Sequence, residues 1–466
     1  MSETVDSADS AETADIAETD VIVIGMGPGG EAAAERLASA GLSVIGIESR
    51  LVGGECPYYG CIPSKMIIRA GNALAEARRV PELAGDARVE PDFGPVAKRI
   101  RREATDDWDD QVAVDRFTGT GGQFVRGRGR ITGPRTVAVG EQQFTARRAI
   151  IVNPGTEPAV PPISGLADTP FWTNREVLTV TEAPESLCVL GGGAIGLELA
   201  QAFARFGSRV TVLEAADRLL SLEEPEAGDL LAKVLRADGL TVHSGAAAKA
   251  VAHGDGEFTV ELDGERVRAR ELLVATGRRT DLRSLGVAAL GIEPSARFLD
   301  PDERMRIADG VYAIGDVTGK GAFTHMSMYQ AEIVVRDILG QPGPAAEYHA
   351  VPRVTFTDPE IGAVGLTEAQ ARAAGHRVRT GFAPLSSSTR GWIHGPGGDG
   401  FVKLVEDVDT GVLVGATSAG PSGGEILAGL TVAVHARVPT EQLRRMIYAY
   451  PTFHRALSTA LEDLDS

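Results

Sequence analysis

Val21-Ile22-Val23-Ile24-Gly25-Met26-Gly27-Pro28-Gly29-Gly30, running on into Glu31-Ala32-Ala33-Ala34-Glu35-Arg36-Leu37, decides the fold. Four consecutive apolar β-branched residues read as a strand buried on both faces. The glycine-rich segment then turns the chain into a helix. Ser43 to Ile47 supplies a second strand, ending in Glu48, 23 positions after Gly25. Gly25, Gly27 and Gly30 permit a tight turn, let backbone amides approach a pyrophosphate, and let helix pack on strand. At Glu48 a carboxylate is placed to hold ribose hydroxyls.

The pattern occurs twice. Leu187 to Leu190 leads into Gly191-Gly192-Gly193-Ala194-Ile195-Gly196, then a helix, then Val210 to Leu213 and Glu214, again 23 positions after the first glycine. One glycine fingerprint is weak evidence; two copies with the same acid offset are strong. Gly191, Gly193, Gly196 and Glu214 are therefore read as a second dinucleotide site. A carboxylate at Glu214 repels a 2′-phosphate, so NADH is expected there over NADPH, a preference that nearby Arg218 softens.

Just past the first unit comes Gly53-Gly54-Glu55-Cys56-Pro57-Tyr58-Tyr59-Gly60-Cys61-Ile62-Pro63-Ser64-Lys65. On an unbroken helix, side chains five apart point about 140° from each other. Pro57 and Gly60 are expected to break the helix and let the sulfurs meet. Cys61 then falls near a helix N-terminus, where the dipole favours a thiolate. The pair reads as a redox disulfide. With three cysteines in the chain, four thiolate ligands for zinc are not available, and a structural disulfide closing so small a loop is the weaker alternative. Cys188, inside an apolar strand, reads as a buried, inert thiol.

Composition narrows the partners. Net charge is −18; residues 1–20 carry seven acids and no base, which leaves −11 for the remainder. Nucleic acid and anionic membrane are unattractive partners for such a surface. The tail, taken as residues 1–19, has the composition of disorder and lacks the features of a signal peptide. No apolar run approaches the length of a membrane span. No metal site is expected, and the setting is expected to be cytoplasmic.

From about Asp20 to the C-terminus the chain resembles the class I pyridine nucleotide-disulfide oxidoreductases, the superfamily of dihydrolipoyl dehydrogenase, glutathione reductase and mercuric reductase. The run from Gly53 to Lys65 carries most of the resemblance. Val274-Ala275-Thr276-Gly277-Arg278 is similar to the family's second FAD-closing glycine motif, and Gly310 to Asp316 to the segment whose Asp binds the ribityl chain. Phe356-Thr357-Asp358-Pro359-Glu360 and Val364-Gly365-Leu366-Thr367 resemble the start of its dimerisation domain. The resemblance implies FAD at Gly25, Gly27, Gly30, Glu48, Gly54, Gly277 and Asp316, with Lys65 near the flavin and paired with Glu198. It implies that Cys61 is the sulfur next to the flavin and Cys56 the one that meets the acceptor. It also implies a homodimer.

The sequence departs from the family at its C-terminal motif. Disulfide reductases of the family carry His-x-His-Pro-Thr-x-x-Glu, whose second His acts as acid and base from the partner subunit. Here Tyr448-Ala449-Tyr450-Pro451-Thr452-Phe453-His454-Arg455 stands in its place. Phenols titrate near 10 and are poor bases for a dithiol at neutral pH, though fair hydrogen-bond donors to a carbonyl or quinone. His454 is one place short of the orienting Glu and reads as a surface residue. Mercuric reductases add a C-terminal cysteine pair, absent here. Asn153-Pro154-Gly155 stands where Ala-Thr-Gly is usual.

The fold expected is α/β: two Rossmann-like FAD- and NAD(P)-binding domains plus a C-terminal α+β dimerisation domain. Residues 20–152 and 278–345 form the FAD part, 153–277 the NAD(P) part, and 346–466 the dimerisation domain. The activity expected is NAD(P)H oxidation through FAD and the Cys56–Cys61 pair onto an uncommon acceptor: a quinone, a small electrophile or an unusual disulfide. The alternatives are dihydrolipoyl dehydrogenase and a non-enzymatic redox-sensing flavoprotein.

Overall fold

The computed structural model describes residues 16–465. Of the tail expected over 1–19, residues 1–15 lie outside the described residues, whereas 16–19 belong to the first strand. The sequence pattern is realised in chain order as β1 (Ile16–Ile24), α1 (Pro28–Ser39) and β2 (Val44–Glu48), then α2 (Glu55–Tyr59) and α3 (Cys61–Leu83), and later β3 (Ser186–Leu190), α4 (Ala194–Arg205) and β4 (Arg209–Leu213).

The chain divides into two units. The first comprises residues up to Gly54, Asp109–Thr156 and Thr280–Ala346. Its sheet runs in the order Arg306–Ala308, Val311–Ala313, Gln142–Val152, β1, β2 and Gln123–Arg126, with the hairpin of Arg130–Gly133 and Thr136–Val139 beside Gln142–Val152. From Val311–Ala313 to Gln123–Arg126 neighbours are parallel. Val21 and Val23 enter one apolar cluster with Ala33 and Leu37 of α1, while Ile22 and Ile24 enter another with Ile45 and Ile47. Successive strand residues face opposite sides, so two buried faces account for the unbroken apolar run.

The second unit holds Glu55–Trp108, Glu157–Arg279 and Glu347 onward. It contains a parallel sheet ordered Thr241–His243, β4, β3, Glu271–Val274, and a five-stranded antiparallel sheet from Pro352–Thr355 to Val378–Pro384. Leu187 and Val189 of β3 face the cluster built with α4; Cys188 and Leu190 face the opposite one. Residues 55–108 group with this unit, where Ile67 and Ile68 of α3 share an apolar cluster with Leu199, Ala202 and Phe203 of α4.

Candidate functional site

Both fingerprints close beneath and open above. A Cβ at Gly25 (φ +91°) would lie 2.1 Å from the Asn153 carbonyl oxygen, and one at Gly30 would lie 2.0 Å from that of Gly25. At Gly27, the N-cap of α1, nothing comes nearer than 3.5 Å. The second copy repeats this: Gly191 and Gly196 would meet the Ala275 and Gly191 carbonyls at 2.4 and 2.3 Å, while Gly193, the N-cap of α4, has nothing within 4 Å. The open positions sit at the N-terminal, positive end of a helix, where a pyrophosphate docks. These cradles fit dinucleotides.

The two acids are held alike. Glu48 accepts from the amides of Met26 (2.9 Å) and Arg50 (2.7 Å). Glu214 accepts from Gly192 (2.5 Å) and Ala216 (2.6 Å), the corresponding amides of its own copy. Burial pushes the Glu48 carboxyl above its ordinary range, against the pull of those amides. Arg218 is engaged locally, its guanidinium donating to the carbonyls of Leu220, Ser221 and Glu223.

Buried, Asn153 donates from Nδ2 to the Gly25 carbonyl at 3.1 Å. Its Oδ1 lies 2.6 Å from where Gly315 (φ +77°) would carry a Cβ. One carboxamide thus braces the fingerprint turn and fills the place a side chain at 315 would take. Asp316 follows on a 3₁₀ turn and accepts from Thr156 Oγ1 at 2.9 Å. Gly54 (φ +68°) backs the first turn, since a Cβ there would lie 2.8 Å from Gly27 Cα. Gly277 (φ +125°) accepts from the Ala159 amide.

Cys56 lies half-buried on α2, and Cys61 is the exposed first residue of α3. The helix break is at Gly60 alone (φ −147°, ψ −116°). Pro57, expected to contribute, instead sits within the first turn of α2, where its missing N–H would have had no helical partner. The loop is tied from outside. Glu55 accepts from Arg175 at 2.6 and 2.9 Å and from Arg278 at 2.6 Å. Asn174 Nδ2 donates to the Tyr59 carbonyl, and Trp108 Nε1 to that of Tyr58. Tyr58 is buried and Tyr59 stacks on Trp108, so both pack rather than project. None of these partners was visible in the sequence. Asn174 and Arg175 lie within a Thr173–Glu176 capping box, which signals only a helix start.

Lys65, one turn after Cys61, meets Glu198 of α4 at 2.8 Å, the lysine 35% exposed and the glutamate 5%. The other Glu198 oxygen accepts from the Phe356 amide at 2.8 Å, and the ammonium lies 4.8 Å from the Phe356 ring centroid. The pairing implied by resemblance is thus formed. Tyr450 is 68% exposed and donates to Thr389 Oγ1 at 3.2 Å. Tyr448 is tucked onto the Leu443 carbonyl, and His454 is exposed. Among the described residues, no helix is long and apolar enough to cross a membrane, and no cluster of three or more His, Cys, Asp or Glu side chains is placed to hold a metal ion.

With this geometry in place, residues 19–331 match the model of the pyridine nucleotide-disulphide oxidoreductases, and residues 351–461 match the dimerisation domain of the same family. The chain belongs to this family. A dihydrolipoyl dehydrogenase of Halobacterium salinarum is 35% identical over 95% of this chain and 96% of its own length. A mercuric reductase of Acidithiobacillus ferrooxidans is 33% identical over 97% of this chain and 84% of its own. Among solved structures, the HOCl-induced flavoprotein disulfide reductase RclA of Escherichia coli, as its Cu(II) complex, superposes with a TM-score of 0.84 at 27% identity, covering 96% of this chain and 99% of that one. LpdA of Mycobacterium tuberculosis follows at 0.83 and 25%, covering 96% and 100%. Members are FAD- and NAD(P)H-dependent flavoenzymes, and this chain is an oxidoreductase of that kind. Its dimerisation domain supports a homodimer.

Proposed function

We propose that the enzyme takes reducing equivalents from NADH, in the cytoplasm, and delivers them through the Cys56–Cys61 pair to a small acceptor other than lipoamide or glutathione: a quinone, another small electrophile or an unusual small disulfide. Tyr450 carries the reading, since an exposed phenol stands where a base would be needed to activate a dithiol. Gly25, Gly27, Gly30, Glu48, Gly54, Gly277 and Asp316 would hold FAD; Gly191, Gly193, Gly196 and Glu214 would hold NADH. FAD, when bound, supplies the two-electron exchange between nicotinamide and sulfur. NADH is favoured over NADPH because Glu214 repels a 2′-phosphate and Arg218 is already committed to three carbonyls.

Cys61 is stabilised as thiolate by the α3 dipole, with the Lys65 ammonium one turn on. Glu198 keeps that ammonium paired and placed. Cys56 meets the acceptor, and Tyr450 donates a hydrogen bond to an acceptor oxygen. Steady-state rates with NADH and NADPH against menadione, glutathione disulfide, NAD⁺-linked dihydrolipoamide oxidation and Cu(II) test the proposal. NADH-dependent quinone reduction should lead the panel and fall at least tenfold in Tyr450→Phe. Robust lipoamide turnover surviving that substitution would restore the dihydrolipoyl dehydrogenase reading. Slow turnover with every acceptor would favour a redox sensor. Quinone rates untouched by Cys56→Ser and Cys61→Ser would remove sulfur from the route.

A further inference from the structure

Lys65, Asn72 and Arg79 recur every seven residues along α3, and each reaches a polar partner. Lys65 pairs with Glu198; Asn72 Oδ1 accepts from Arg205 Nη1 at 2.5 Å; Arg79 Nη2 donates to Asp358 Oδ2 at 2.7 Å. Glu198 and Arg205 are likewise seven apart on α4. Seven residues fall about 20° short of two helical turns, so the three form a stripe rising about 21 Å from Lys65 to Arg79.

The segment from Phe356 to Asp358 runs along this seam. The Phe356 amide donates to Glu198, and Gln201 bonds both backbone groups of Asp358, at 2.7 and 2.8 Å. The same Asp358 oxygen that receives Arg79 receives Arg205 at 2.7 Å. Arg205 is 4% exposed and has one further carboxylate, Asp238, at 3.2 Å. Between the polar steps the helices meet through apolar residues such as Ile67, Ile68 and Leu199, and approach closely at Gly71, where a Cβ would lie 3.5 Å from Ala202 Cα. Apolar contact of that kind is non-directional and resists sliding weakly, whereas charge-assisted hydrogen bonds fix geometry.

We propose that Asp358 is a positioning residue for Cys61: bonded to Arg79 of α3 and Arg205 of α4, it sets the register of the two helices and so the place of the Lys65 ammonium. The inference rests on Cys61 being the inner redox sulfur and deepens that reading. Without Asp358, α3 keeps Asn72 on Arg205 and Arg78 Nη2 on the Arg205 carbonyl at 2.7 Å but loses its carboxylate anchor, and the hold of Glu198 on Lys65 loosens. Helical side chains lean toward the N-terminus, so the released ammonium moves toward Cys61 and promotes its thiolate. Asp238 still faces Arg205, so the fold is expected to persist.

The test reads Cys61 in holoenzyme reduced with dithiothreitol and then freed of it, as the rate of iodoacetamide labelling at Cys61 at pH 7, told apart from Cys56 on the same peptide by fragment-ion sequencing. Asp358→Ala should label at least threefold faster than the unsubstituted enzyme, and Asp358→Glu should return the rate to normal. In a Lys65→Met background, Asp358→Ala should change the rate by less than about twofold, the scatter of independent sites. An unchanged or slower rate, or equal acceleration without Lys65, overturns the proposal. Should Asp358→Ala lose its flavin or its far-ultraviolet dichroism, Asp358→Asn, which keeps the shape and drops the charge, is judged by the same outcomes. Labelling requires no turnover. Failure of NADH to reduce the cysteine pair in the unsubstituted enzyme would instead refute the functional reading and leave this result interpretable.

Discussion

Glu198 is the side chain whose removal the structure prices most clearly. It is 5% exposed and accepts two hydrogen bonds at 2.8 Å, from the Lys65 ammonium and from the Phe356 amide. Breaking a fully buried ion pair costs about 3–5 kcal/mol. Lys65 is 35% exposed, so water replaces part of what it loses, and Glu198→Gln, which keeps an acceptor for Phe356, should cost about 1–2 kcal/mol. Glu198→Ala also strands the Phe356 amide, adding about 1–3 kcal/mol, for roughly 2–5 in all. All three tryptophans, Trp108, Trp172 and Trp392, lie in the second unit together with this pair. Urea unfolding followed by tryptophan emission therefore reports the unit concerned. Equal losses for the Gln and Ala variants, or losses below about 0.5 kcal/mol for both, the level of an ordinary surface change, would refute the account of Glu198 as a two-sided anchor.

Three further outcomes follow from the geometry. Burial pushes the Cys188 thiol up to about 12, so iodoacetamide at pH 8 should leave its peptide unmodified while the reduced Cys56 and Cys61 peptides react; mass mapping decides it. The Ser43 amide, with Arg147 beside it, holds the Asp20 carboxyl down at about 2, below its ordinary 3.8. Its stabilisation is thus present above about pH 4 and is lost as pH falls toward 2. Asp20→Asn should flatten acid unfolding in that window and leave stability near pH 7 lower, measured by urea midpoints at each pH. Gly315→Ala should release flavin, because the new methyl meets Asn153 Oδ1. Asn153→Ala should rescue it only in part, since φ +77° remains strained by about 1 kcal/mol or more; flavin absorbance of the purified variants is the readout.

What the sequence disclosed follows from range. The two strand–turn–helix–strand copies were legible because each is a local pattern: alternating burial on two faces gives an unbroken apolar run, and the glycine spacing is set by backbone approach within one turn. Cys61 at a helix start was legible for the same reason. Pro57 misled, because proline breaks a helix only beyond its first turn, and α2 begins too close to it. Asn153, Glu55 with Arg175 and Arg278, and Asp358 with Arg79 and Arg205 were not legible. Their partners lie more than a hundred positions away, and no short-range periodicity encodes a meeting of that kind. Lys65 with Glu198 was recovered only through resemblance.

Glu48 and Glu214 each engage their carboxylate with two backbone amides of their own copy. The acid is therefore part of the scaffold as well as of the recognition surface, and its side-chain freedom is given up at folding rather than at docking. An attempt to redesign coenzyme choice by exchanging Glu214 for a neutral or basic residue would undo the glycine turn along with the selectivity. A successful swap must bring its own acceptor for Gly192 and Ala216.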